Sequence, residues 1–143
     1  MNREIKFRGF NEKNNKWLYG YYFVNRGLHF VVDDKTQTNP LVNWKDFVVK
    51  PDTIGQYTGL KDKNGKEIYE GDIVKGVSHK SDSCISELIP FDVIGVVGYH
   101  KEYQTLEVRT RQASLHIEVA IKGEVIDFIH DNPELMKGGS NEA

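Results

Sequence analysis

The chain has 143 residues, and its 19 Lys and Arg nearly balance 21 Asp and Glu, leaving a net charge of −2. With 38% apolar and 28% charged residues it is not the composition of a disordered chain, and the length suffices to bury a core without metal or disulfide support. No apolar run approaches the roughly 18 residues of a membrane span, and the lone Cys84 can form neither an internal disulfide nor a multi-cysteine zinc site. Charged residues open the chain with no apolar block behind them, so no signal peptide is expected and a cytoplasmic, reducing setting is.

Thirty-one β-branched residues stand against 13 Ala, Leu and Met, a balance that suits pleated surfaces and predicts an all-β protein. In chain order, strands are expected over 3–10, 16–24, 28–32 and 46–49, the first three as a meander joined by polar turns at Asn11–Asn15 and Asn25-Arg26-Gly27. Further strands are expected over 54–58, 72–77, 91–99, 103–110, 114–121 and 124–129. Asp62-Lys63-Asn64-Gly65 carries an Asn-Gly turn signal, and Ser78–Ser86 reads as a polar loop holding Cys84. A short helix capped by Asn132 should start at Pro133, before a disordered tail over 138–143.

Charge is uneven along the chain. Residues 1–55 hold 9 basic and 6 acidic side chains, while residues 56–143 hold 10 and 15. This predicts two small β-subdomains sharing a core, 1–52 and 53–137.

Enzymatic motifs fail on spacing. Between Gly59 and Gly65 lie five residues, where a phosphate loop has four, and Glu67 follows Lys66 where Ser or Thr must hold magnesium. A calcium loop beginning at Asp62 meets glycine fourth instead of sixth. No two of His29, His79, His100, His116 and His130 stand three or four apart, so no local metal pair exists. Cys84 has no adjacent base. Glu67, Glu70 and Asp72 form an acidic cluster that could hold Mg²⁺ for phosphoester hydrolysis, though an extended 67–72 would point Glu67 away from the other two. A turn entering a strand explains the same residues.

The N-terminal ribbon offers a different surface. Lys6 and Arg8 share one strand face, and the next strand carries Lys16, Trp17 and Tyr19, the cations and rings that single-stranded nucleic acid uses for phosphates and bases. The same strip would also serve as a subunit interface.

The run from Ile54 to Val74, through Gln56-Tyr57-Thr58-Gly59-Leu60, Asp62, Gly65 and Tyr69-Glu70-Gly71-Asp72, resembles the core signature of the YopX-like family of bacteriophages and prophages. Ile5-Lys6-Phe7-Arg8 resembles that family's start, and Asp131-Asn132-Pro133-Glu134-Leu135 its end. Departures are modest: Gly9-Phe10 stands where a small residue followed by tryptophan is common, and Asp127-Phe128 where Gly-Asn is usual. The resemblance implies an all-β fold whose C-terminal part is an SH3-like barrel, and a phage accessory role. It implies no catalytic residues. The signature itself has a folding rationale, since Tyr57, Leu60, Ile68, Tyr69, Ile73 and Val74 would supply apolar residues where a small barrel begins.

Together these readings predict a phage-encoded, non-enzymatic binding or self-associating module, without cofactor or metal, whose partner is a second copy or a host or phage protein. Single-stranded nucleic-acid binding through Lys6, Arg8, Lys16, Trp17 and Tyr19 is the alternative. A metal-dependent hydrolase built on Glu67, Glu70 and Asp72 ranks third.

Overall fold

The structure, a computed structural model, describes residues 4–33, 42–82 and 87–131. Among these described residues it contains ten strands in two antiparallel sheets and one short α-helix. The all-β expectation holds. The helix expected from Pro133 and the tail 138–143 lie outside the described residues, as does Cys84.

By contacts the chain divides into two compact units, Met1–Gly59 and Leu60–Ala143. In the first, β1 (Phe7–Asn11), β2 (Lys16–Asn25) and β3 (Leu28–Val32) form the expected meander. Arg26 (φ 52°) and Gly27 (φ 78°) both take positive φ, the backbone that a two-residue hairpin loop needs to match strand twist. β1 then pairs with β4 (Gly55–Lys61), Phe7 opposite Gln56. β4 runs through the division at Gly59/Leu60, and β5 (Glu67–Tyr69) completes the sheet order β3-β2-β1-β4-β5.

Segment 46–49 departs from expectation. Trp44–Asp46 is a 3-10 turn, and only Val48 bridges to Phe30. A strand was expected here, but buried Asn11 holds this segment by its turn carbonyls. Its Nδ2 donates to Lys45 O (3.1 Å) and Val48 O (2.7 Å), while its Oδ1 accepts from Asn14 N (2.8 Å). The segment covers the outer edge of β3 through Val31 N to Phe47 O and Val49 N to His29 O. Gly9 makes room for it, because a Cβ there would lie 2.7 Å from Val49 Cβ.

In the second unit, β6 (Asp72–Asp82), β7 (Glu87–His100), β8 (Thr105–Arg109), β9 (Ser114–His116) and β10 (Glu124–Phe128) form a sheet of order β10-β6-β7-β8-β9. The last strand returns beside the first, with α1 (Glu118–Ile121) between β9 and β10, an order compatible with an SH3-like barrel. Ile68, Val74, Val97, Val108, Ile117 and Ala120 make its buried core. The expected strand over 114–121 stops early and its second half is α1. Leu115, Ile117, Val119 and Ile121 fit a two-residue period, but Ala120 is fully buried and glycines let the turn approach β6: a Cβ on Gly76 would lie 2.6 Å from Val119 O.

The polar loop expected over 78–86 is corrected as well, since strand pairing continues to Asp82 opposite Glu87. β10 accompanies β6 only over Asp72–Lys75, and β8 accompanies β7 only from Val96 onward. Residues 76–82 and 87–95 therefore continue as a two-stranded ribbon, with His79 opposite Pro90.

Candidate functional site

Tyr57 and Thr58 are buried, and Tyr57 N donates to Lys6 O (2.8 Å). Gly59 turns at φ 85°, and Leu60 packs against the second unit's core. Asp62 organises the hairpin that follows: Oδ1 accepts from Asn64 N (2.8 Å) and Lys66 N (2.9 Å), and Oδ2 accepts from Val125 N (2.9 Å) of β10. Burial pushes this carboxyl up, but the three N–H donors outweigh it and hold Asp62 below the ordinary carboxylate range. Gly65 closes the turn at φ 80°.

The acidic cluster is folded into the same scheme. Asp72, 1% exposed, accepts from Tyr69 N at Oδ2 (2.8 Å), and Glu67 Oε1 accepts from the Tyr69 hydroxyl (3.1 Å). Glu70 is half-buried. Gly71 (φ 92°) donates its N–H to Val97 O, and its Cα faces the Phe128 ring. Among the described residues, no three His, Cys, Asp or Glu side chains gather as a metal site.

The basic ribbon is divided between faces. Arg8 pairs with Tyr19 and Phe10 with Trp17, which sets Lys6, Arg8, Trp17 and Tyr19 on one face, whereas Lys16 opposite Asn11 belongs to the other. Arg8 is only 8% exposed, its guanidinium 5.3 Å from the Trp17 ring. Lys6 bonds Glu4 (3.4 Å) and lies 5.1 Å from the Tyr57 ring. Tyr19, Tyr21 and Phe23 stay exposed along β2.

A groove that the sequence did not suggest opens in the first unit, with a volume of about 470 Å³. Leu28, Trp44, Val48 and Pro51 supply its apolar surface, and Lys13, Lys45 and Lys50 stand around it with Glu12. Asn11 positions this wall through the two carbonyls described above. Lys13 Nζ bonds Asp46 Oδ1 (2.6 Å), and that bond, aided by Asn14, holds the Asp46 carboxyl below its ordinary range. Lys50 pairs with Glu12 (3.2 Å). Lys45 is different: its ammonium lies 5.5 Å from the Trp44 ring and meets no carboxylate among the described residues. His29, also at the groove, is fixed by stacking on Tyr22, whose hydroxyl lies 2.7 Å from its Nδ1. The sequence signal was Trp44 amid polar residues, but reading 46–49 as a strand concealed it.

Fold and site together define an all-β protein of two antiparallel sheets. The YopX protein family model matches residues 6–137, and the chain belongs to that family. No curated protein matches it. Among solved structures it is similar to protein EF1440 from Enterococcus faecalis, at 22% identity and a TM-score of 0.55, over 94% of this chain and 99% of that one. At that identity the likeness speaks to the fold alone.

Proposed function

We propose that this chain is a non-enzymatic binding module, encoded by a phage or prophage and acting in the host cytoplasm, that docks a protein segment in the groove of its first unit. The observation carrying this reading is the groove itself: an apolar floor of ligand-site size beside Lys45, a cation without an acidic partner among the described residues. Such a surface suits an apolar side chain flanked by Asp or Glu. Single-stranded nucleic acid is the weaker reading, because Arg8 is buried on Trp17 and Lys6 already bonds Glu4.

Selection from a displayed peptide library tests the proposal. Enriched peptides should share an apolar residue next to a carboxylate, and Trp44→Ala should weaken them roughly thirtyfold, as loss of an aromatic anchor worth about 2 kcal/mol does. Peptides that bind the Trp44→Ala variant as well as the parent would refute it.

A further inference from the structure

In the second unit β7 has an open edge. Val97 O accepts from Gly71 N on the β6 side, so strand alternation turns the N–H and C=O groups of Asp92 and Ile94 toward the opposite edge. β8 follows that edge only from Val96, opposite Arg109. The chain then leaves in the turn Thr110–Ala113, where Thr110 Oγ1 accepts from Gln112 N (3.2 Å) and Ala113 N (3.0 Å). Pro90 ends the opening on its other side, having no N–H to give. Among the described residues no backbone group bonds Asp92 or Ile94 along this edge.

Where β8 turns away, a cleft of about 370 Å³ lies beside these two residues, and its two rims differ. Phe91, 40% exposed, and Val93 share the strand face of Val97, which register extends across β8 to Leu115. Lys75, Asp92 and Ile94 take the other face. Lys75 and Asp92 carry opposite charges, and neither is ion-paired among the described residues. We infer that an extended segment of a partner protein adds here as a strand, continuing the line of β8, with its apolar side chains toward Phe91 and Leu115 and its charged ones toward Lys75 and Asp92. Main-chain donors and acceptors left open along an edge call for another backbone, and the unlike rims call for a two-residue period in it. This site belongs to the second unit and does not rest on the groove.

Amide hydrogen exchange of the full chain tests it, with a synthetic heptapeptide in which valine alternates with threonine, glutamate and lysine. So short a ladder gives a Kd of about 1 mM, weaker than a displayed selection retains, which keeps this measurement apart from the one on the groove. With peptide at about ten times that Kd, exchange at Asp92 and Ile94 should slow about tenfold. Two forms of the peptide, N-methylated at every second residue in the two possible phases, should then part company. One should bind as the parent peptide does and the other should lose at least about tenfold, since only alternate N–H groups meet β7. Unchanged exchange at both amides overturns the inference, as does equal binding or equal loss by the two N-methylated forms. Protection of both amides in concentrated protein without peptide also overturns it, by giving the edge to a second copy.

Discussion

Two glycines in the signature separate backbone strain from crowding. Gly65 and Gly71 both hold positive φ, but a Cβ on Gly65 would meet nothing, while one on Gly71 would lie 2.7 Å from Phe128 Cε2. Gly65→Ala should cost about 1 kcal/mol, the left-handed strain alone. Gly71→Ala should cost about 3 kcal/mol, because a ring must also shift. Urea unfolding of the two variants checks the order, and equal losses would contradict it. Asp72 and Asp62 teach the same lesson about reading chemistry from carboxylates. Asp72 belonged to the cluster that could hold Mg²⁺ and Asp62 headed a calcium loop that failed on spacing, and in the fold each accepts backbone N–H groups. Val125 lies 63 residues from Asp62, a separation that no local pattern reveals.

Where period-two alternation and turn signals agreed, elements were legible: the β1–β2–β3 meander and the hairpin at Asn64-Gly65 stand where expected. The misplaced elements each depend on a partner outside the segment itself. Ser78–Asp82 looked like loop because it is polar, yet its strand character comes from pairing with 87–91. Segment 46–49 was expected as a strand, but its shape comes from Asn11. Asn11→Ala would leave the carbonyls of Lys45 and Val48 without their donor and should cost about 2 kcal/mol. Limited proteolysis should then cut within 42–50 before the rest of the chain, and unchanged cleavage there would argue that the segment stands without Asn11. The groove was hidden for the same reason, since that side chain builds its wall.

Across the whole molecule, buried carboxylates set the response to acid. Burial pushes Glu107 up, but bonds from Arg109 and Ser114 hold it below the ordinary range, as the N–H donors do for Asp62. A carboxyl depressed in the folded state contributes stability above its unfolded pKa, near 4, and that contribution is lost as pH falls through the lower folded value. The melting temperature should therefore drop below about pH 4. Asp62→Asn should melt lower at neutral pH and show a shallower acid slope; parallel curves would mean that Asp62 is not held ionised. The proline opposite His79 has a consequence for solubility. Its nitrogen carries no hydrogen, so a foreign strand laid along β7 at that point lacks a donor and cannot zip onward. Fibre-like stacking is thus disfavoured along that margin, where β7 pairs with β6 but not with β8.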